Sequence, residues 1–522
     1  MHHLRVAAVL AAVAVLAACS GGGGGKSTTN ALLPPAHVGS TASGTVTIAG
    51  VGDSLTAGEQ SDGTMGADLP IIEATSPLGQ IGPVQRTQEH GFFALLWEQA
   101  NGVDITTMSN PATSPLPLLT PPGLGSILAP TAAGFPYSGI TTPCDAHQIA
   151  ANTFSTALSL RENPALNPWD VGIPGQTTHE ALYMVGPTGN CSVNASNSPA
   201  SFVDLNALVN GESQIFWPIL AGFGQGVTQV EAAASLHAQL ATVWLGSNDL
   251  LKFALSDGAA PVTAPASIQA DITAIIKQLQ AAGSKVAVAN LVDVMGAATF
   301  IPVTPSNPSQ LSYQNELALF ILRGIEEENP TIPASVAQGI ANQYATAYAQ
   351  QEIAQTGLGN AGYFTINALF ATLQTALTQI QTQATPVAPT IPAGDVVPDA
   401  VATEVETLNT AYNASIAAAA SATDAALVDM HTAFVQIEQA GGLPVNPPAC
   451  CSLIYGGGFF SLDGLHPSNT GYAVLANLFI DKIDSAYGMS IPEVNVSTIY
   501  ATDPYAPGNG VSGSAHLRKT VK

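Results

Sequence analysis

The chain has 522 residues, of which 46% are hydrophobic and only 9% are charged. This length suggests two or three domains, or one α/β domain with insertions, and the apolar content is ample for a large core. The formal net charge of −24, from 36 acidic and 12 basic side chains, argues against a nucleic-acid partner, because neutralising phosphates requires clusters of lysine and arginine.

The first eighteen residues have the pattern of a signal peptide. A short basic start, Met1–Arg5, precedes an apolar run, Val6–Ala18, that is too short to span a bilayer. The run ends in Leu-Ala-Ala followed by Cys19, which resembles the lipobox of bacterial lipoproteins. The resemblance implies cleavage before Cys19, a lipid on Cys19 and anchorage in the bacterial cell envelope after export, at the outer membrane or cell surface. The alternative is ordinary signal-peptidase cleavage that leaves an incidental thiol. Residues 19–44, with five successive glycines, predict a flexible tether.

A candidate nucleophile follows the next predicted element. Residues 45–51 are largely apolar and β-branched, and they predict a buried strand that runs into Gly52, Asp53 and Ser54 and a turn ending at Gly58. A serine in this position lies at the carboxyl edge of a sheet, which is where open α/β sheets bind ligands. The alternative for Asp-Ser after a strand is an ordinary helix cap.

Strands and helices alternate along the rest of the chain. Further strands are predicted at 103–108, 241–245, 285–291 and 425–429, with a strand end and a turn at 168–178. Helices are predicted at 91–97, 227–240, 267–282 and 468–487. This alternation predicts an α/β fold with a parallel sheet that is covered by helices on both faces.

Three predicted insertions interrupt this pattern. Residues 109–166 are rich in proline, glycine, threonine and serine and predict a loop-dominated insertion, and a second insertion covers roughly 185–225. Residues 305–423 have apolar side chains at helical spacing and predict a helical insertion with a proline-rich break. The main domain then spans 45–488, and the tail 489–522 is expected to be loosely ordered.

A candidate base precedes the last predicted helix. Asp463 lies three residues before His466 in a tight loop, so its carboxylate can accept from imidazole Nδ1–H and leave Nε2 facing a serine. An isolated pair with this spacing is usually a surface turn. Its place before a closing helix, in a chain with a serine at a strand end, favours catalysis. The other nine histidines, among them His431, have no comparable context.

These segments resemble the GDSL, or SGNH, hydrolases. Four blocks occur in the family's order, at about 45–60, 168–182, 241–252 and 425–487. The resemblance implies a three-layer α/β/α sandwich, flavodoxin-like, with a parallel sheet of about five strands. It also implies a carboxylic ester hydrolase, an esterase or lipase that acts through an acyl-enzyme on an acyl lipid or acylated sugar and needs no metal or organic cofactor.

The resemblance to this family implies that Ser54 is the nucleophile, that His466 transfers the proton and that Asp463 orients His466. The α/β-hydrolases share the order of the three residues, but their Gly-x-Ser-x-Gly elbow is absent around Ser54. Two other functions stay open. One is a surface binding module on a catalytically inactive scaffold, and the other is an acyltransferase with the same triad.

The resemblance also implies an oxyanion hole, formed by the N–H groups of Ser54 and Gly175 and the side-chain amide of Asn248. Gly175 follows Ser54 by 121 positions (175 − 54), much further than in compact members, and Gly172 is its rival. The alternatives are a plain turn glycine for Gly175 and a helix cap for Asn248.

Export would allow disulfides among the four cysteines that follow Cys19. Cys144, Cys191, Cys450 and Cys451 allow three pairings, among which the sequence does not choose. Their spacing is wrong for a cysteine-rich zinc site, so loop crosslinks are the expected role.

Overall fold

The computed structural model describes residues 45–60, 63–65, 72–73, 80–81, 86–107, 114–118, 123–125, 167–184, 219–220, 223, 227–306, 310–443 and 451–506. The predicted signal peptide, the tether with Cys19, and most of the insertions at 109–166 and 185–225 lie outside these residues. Within the described chain, no helix combines the length and apolar character that crossing a membrane requires.

The described residues contain eleven strands and twelve α-helices. The strands are β1 Ile48–Gly52, β2 Gly63–Met65, β3 Ile72–Glu73, β4 Gln80–Ile81, β5 Gly123–Gly125, β6 Leu240–Trp244, β7 Lys285–Ala289, β8 Phe300–Pro302, β9 Tyr363–Thr365, β10 Val396–Val397 and β11 Ala426–Val428. The helices are α1 Phe92–Asn101, α2 Thr178–Tyr183, α3 Gln229–Ser235, α4 Ser247–Leu255, α5 Pro265–Ala281, α6 Tyr313–Glu328, α7 Ala334–Thr356, α8 Ile366–Gln381, α9 Asp399–Ala422, α10 Met430–Ala440, α11 Asn469–Tyr487 and α12 Val496–Thr502.

The central sheet is parallel and has the strand order β1-β6-β7-β11. Ile48 pairs with Leu240, and the neighbouring strands continue the parallel register. A fifth segment lies beside β1 without becoming a full strand: Val171 N–H donates to Gly50 O at 3.0 Å, and Ile173 N–H donates to Gly52 O at 3.0 Å. The chain therefore adds segments on both sides of β1, and the order reverses there.

Helices cover both faces of this sheet, since every residue of β1 and β6 is buried. On one face α1 packs against α11, with Phe92 stacked on Phe479 at 4.8 Å between ring centroids. A second group of helices, α3, α5 and α9, contacts β1, β7 and β11. The fold is α/β with a parallel sheet, as predicted, and it is compatible with three α/β/α layers.

Two glycines in β1 allow this close packing. A Cβ at Gly50 would lie 2.7 Å from the ring of Phe93 in α1, and a Cβ at Gly52 would lie 2.0 Å from Thr56 Oγ1 in the turn beyond the strand. Real Cβ atoms do not approach so closely, so the strand needs glycine at both positions. The turn after β1 is thereby held directly against the strand end.

The predicted strand at 103–108 is wrong, because Ile105–Thr107 forms a short 3-10 helix. Glu98 Oε1 accepts from Ile105 N–H at 2.7 Å, and Asp104 Oδ1 accepts from Thr106 N–H at 3.0 Å. These local acceptors turn the chain.

The range 305–423 is helical as predicted, but its last helix belongs to the sheet. Helices α6, α7 and α8 form one packed group, whereas α9 packs on α5 and contacts β7 and β11. A small antiparallel sheet, β10-β9-β8, accompanies this group. The helical insertion is therefore confined to the part that precedes α9.

The expectation of a loosely ordered tail is wrong for residues 489–506. Helix α12 packs on α11, and Asn477 of α11 makes two hydrogen bonds to the backbone of Val494, at 2.7 and 3.0 Å. Asp503 is buried and accepts from Thr470 N–H at 2.7 Å. Burial of apolar residues such as Ile491 on α11 explains this order.

Candidate active site

Ser54 lies in the turn directly after β1. The carbonyl of Asp53 accepts from the N–H groups of Thr56 and Ala57, both at 3.1 Å, and Glu59 N–H donates to Ser54 O at 3.0 Å. The Asp53 side chain accepts from Leu55 N–H at 3.0 Å. These bonds close a compact turn that keeps the half-buried serine at the carboxyl edge of the sheet.

His466 and Asp463 form a close pair in the loop before α11. His466 Nδ1 lies 2.6 Å from Asp463 Oδ2, and both side chains are buried. The other carboxylate oxygen, Oδ1, accepts from the N–H groups of Leu465 and His466, each at 2.8 Å. The carboxylate is thus held by the loop itself and fixes the orientation of the imidazole.

Both halves of the site are tied to α11. Tyr472 OH donates to Glu59 O at 2.7 Å, and Gln60 Nε2 donates to Asn469 Oδ1 at 2.7 Å. The turn with Ser54 is therefore anchored to the first turns of the helix that follows His466. This contact spans more than 400 positions of sequence.

Asn248 lies in the first turn of α4, directly after β6. Its Nδ2 donates to Asp53 Oδ2 and to Gln176 O, both at 3.2 Å. The amide therefore links the turn that holds Ser54 to the turn Ile173–Gln176, which follows the segment beside β1. Both N–H groups of the amide are thus used in these two hydrogen bonds. To act in an oxyanion hole, Asn248 would have to donate one of these N–H groups to the reacting oxygen as well.

Gly175 occupies the third position of the turn Ile173-Pro174-Gly175-Gln176, which Gln176 N–H closes onto Ile173 O at 3.2 Å. Its φ of +78° is the conformation for which a type II turn uses glycine. Its N–H has no acceptor among the described residues, but Gly175 does not line the cavity beside Ser54. The rival, Gly172, donates its N–H to Asp170 Oδ1 at 2.8 Å and packs against Ala57. Gly172 is therefore already engaged.

Ser54, Asn248 and His466 line one cavity, and its empty space, including the part open to solvent, is about 860 Å³. Asp53 borders it as well, and Asp463 lies behind His466. The sequence-predicted residues that meet at this cavity come from three separate blocks of the chain. Cys19 lies outside the described residues. Cys451 is disulfide-bonded.

The pKa values of the two carboxyl groups at the site, Asp53 and Asp463, are shifted in opposite directions. Burial raises the pKa of Asp53 to about 7, although the Leu55 N–H and the charge of His466 act in the other direction. Burial also acts to raise the pKa of Asp463, but the charge and hydrogen bonds of His466 outweigh it and hold that pKa below its ordinary value. Asp463 is therefore ionised at neutral pH and can stabilise a protonated imidazole.

Three further groups, which the sequence pattern did not indicate, share this cavity. His431 lines it, with its Nδ1 buried and without a hydrogen-bond partner in the described part of the chain, and Asp293 and Glu438 line it as well. His431 follows the predicted strand at 425–429 by two residues. The rule that placed Ser54 at the sheet edge could therefore have placed His431 there too.

The described residues contain no group of His, Cys, Asp and Glu side chains that could hold a metal ion. The chain matches no family model, and searches of curated proteins and of solved structures find no match either.

Proposed function

We propose that the protein is a serine ester hydrolase of the GDSL/SGNH type. The observation that carries the proposal is the meeting of Ser54, Asn248 and His466 at one cavity, with Asp463 bonded to His466 Nδ1. This arrangement supplies a nucleophile, a base and the group that orients the base. The reversal of strand order at β1 supports the three-layer SGNH fold, because such switch points are where doubly wound sheets bind ligands.

In the proposed reaction, Ser54 Oγ attacks the ester carbonyl while His466 Nε2 takes its proton. The resulting imidazolium is stabilised by ionised Asp463 and then gives the proton to the departing alcohol, which leaves an acyl-enzyme. Water, deprotonated by the same imidazole, hydrolyses that intermediate and releases the acid. The Ser54 N–H and the Asn248 amide, which line the cavity, are the proposed donors to the oxyanion, each worth about a hundred- to a thousandfold in rate. The Gly175 N–H stays a prediction from the sequence, because Gly175 does not line this cavity.

We also propose that Cys19 carries a lipid anchor and that the substrate is an acyl lipid or an acylated sugar. Its support is the sequence pattern at the N-terminus, and the proposed location is the bacterial cell envelope.

The test uses the full chain in detergent, with p-nitrophenyl esters and a fluorophosphonate probe. Ser54→Ala should lower kcat by at least about a thousandfold and abolish labelling, because no other nucleophile replaces the hydroxyl. The matched control is Ser267→Ala, which removes an exposed hydroxyl from α5 and should change neither readout. A wild-type protein that neither hydrolyses esters nor takes up the probe would instead favour the inactive binding scaffold.

A further inference from the structure

The cavity follows the carboxyl ends of the central strands. Ser54 comes after β1, Asn248 after β6, Asp293 after β7 and His431 after β11, and all four line it. Neighbouring strands lie about 4.8 Å apart, so the path from Ser54 to His431 covers three spacings, or roughly 14 Å. The site is therefore elongated, with the nucleophile near one end.

The walls between these ends are apolar. They come from the turn after β1, from α4, from the segment after β7, and from α10 and the loop before α11. Among these side chains are Leu55, Leu251, Val294, Phe434, Val435 and Phe460. A cavity with this lining favours a hydrocarbon chain, since each buried methylene adds to binding.

The end opposite Ser54 is polar. Asp293, His431 and Glu438 lie there, and the charge of His431 acts on the Asp293 carboxylate. Methylenes placed against carboxylates and an unpartnered ring nitrogen would desolvate these groups without compensation. The apolar part of the cavity therefore has a defined length.

We propose that this cavity binds the acyl chain of the ester and limits it to a medium length of roughly ten carbons. The assignment rests on the proposed function. The acyl group stays attached to Ser54 in the acyl-enzyme, whereas the alcohol must leave, so the apolar path that begins at Ser54 suits the part that stays. An extended chain advances about 1.2 Å per bond, as peptide backbones do, and about twelve bonds span 14 Å.

Gly296 is the position from which this chain-length limit can be changed. It lines the cavity beside Asp293, and a Cβ there would first meet Glu438 Oε1 at 3.3 Å, the end of a flexible side chain. A larger residue can therefore enter the polar end without a backbone clash. Gly296→Leu should shorten the acceptable chain, and Gly394→Leu, at an exposed glycine with nothing within 4 Å of its Cβ, is the matched control.

The experiment measures kcat/KM for p-nitrophenyl esters from acetate to hexadecanoate. For the wild type we expect a rise of at least about tenfold from acetate to decanoate, since a buried methylene is worth up to roughly fourfold, and a fall beyond dodecanoate. Gly296→Leu should lose the rise from acetate to decanoate, whereas Gly394→Leu should keep the wild-type profile. His431→Leu should move the optimum to longer chains. Val435→Phe, which fills the apolar wall on α10 one helical turn from His431 and Glu438, replaces Gly296→Leu if that variant does not fold.

A second measurement separates this proposal from the proposed function. Decanoate binding to Ser54→Ala is followed by calorimetry, and adding Gly296→Leu to that variant should weaken it at least tenfold. A protein that binds decanoate in this way but hydrolyses no ester would overturn the hydrolase and keep the acyl-chain site. Equal chain-length profiles for Gly296→Leu and Gly394→Leu, or rates that follow the alcohol in a series of alkyl acetates, would overturn the acyl-chain site while leaving the hydrolase.

Discussion

The two halves of the site are held in different ways. The half that holds Ser54 is fixed by regular backbone: β1 lies inside a parallel sheet, and the Asp53 carbonyl accepts the backbone N–H bonds that close the turn. The half that holds His466 is an irregular loop outside the central sheet: Ser461 N–H donates to His466 O and Thr299 N–H donates to Gly464 O, both at 2.8 Å, and side chains supply the other bonds. The difference indicates which substitutions can move a reacting group without unfolding the protein.

The histidine loop rests on the helical insertion. The Tyr455 ring packs against Phe320 of α6 and Phe370 of α8, at 5.7 and 5.4 Å between centroids. Its backbone N–H donates to the buried carboxyl of Glu316 in α6, and its hydroxyl donates to Leu462 O at 2.9 Å. Leu462 directly precedes Asp463. The insertion is therefore part of what positions the candidate base.

The largest effect is expected at the carboxylate of this loop. Asp463→Asn should lower kcat by about a thousand- to ten-thousandfold, because the amide cannot hold His466 in the reactive tautomer or stabilise its charge. The matched control is Asp271→Asn, which alters the other described Asp–His pair, where Asp271 Oδ2 lies 3.2 Å from His179 Nδ1 outside the cavity. Equal activities for the two variants would exclude Asp463 from the mechanism.

A smaller effect tests the comparison directly. Tyr455→Phe removes the hydroxyl bonded to Leu462, and Tyr472→Phe removes the hydroxyl bonded to Glu59 beside the turn that holds Ser54. Each loss should cost about 0.5–1.5 kcal/mol of stability. We expect kcat to fall a few-fold, up to about tenfold, for Tyr455→Phe only, since the sheet still holds Ser54 in the other variant. Steady-state kinetics and thermal melts of both variants measure kcat and stability. Equal losses of kcat would show that the two halves of the site depend equally on these side-chain bonds.

The features that sequence predicted are those set by local chemistry. Ser54 follows a strand, and Asp463 contacts a histidine three residues away, so both positions could be read from neighbouring residues. The bond from Asn248 to Asp53 joins residues 195 positions apart, and its geometry depends on which strands become neighbours. The local rule for strand ends also places His431 at the sheet edge, but the order β1-β6-β7-β11 decides that His431 and Gly296 share a cavity with Ser54.

The errors have the same origin. The alternation at 103–108 indicated a strand, but side-chain acceptors on Glu98 and Asp104 turned the segment into a 3-10 helix. The tail after Met489 has little helical pattern of its own until α12. The segment is ordered because its apolar residues are buried and α12 packs on α11, and the pattern of neighbouring residues does not predict this packing.

The smallest expected effect on catalysis concerns Glu316, under the histidine loop. Burial raises the pKa of Glu316 to about 8, against a smaller opposing action of the Tyr455 N–H and the Arg323 charge. The folded protein thus binds this proton more tightly than the unfolded chain, so stability is lost as pH rises from about 4.5 to about 8. Glu316→Gln should keep kcat at pH 6. It should also reduce the loss of unfolding free energy between pH 5 and pH 8 by on the order of 1 kcal/mol or more, which melting temperatures measured across this range would show. The control Glu404→Gln, at an exposed position on α9, should have the wild-type change in melting temperature with pH. The same change in all three proteins would mean that protonation of buried Glu316 does not stabilise the folded protein.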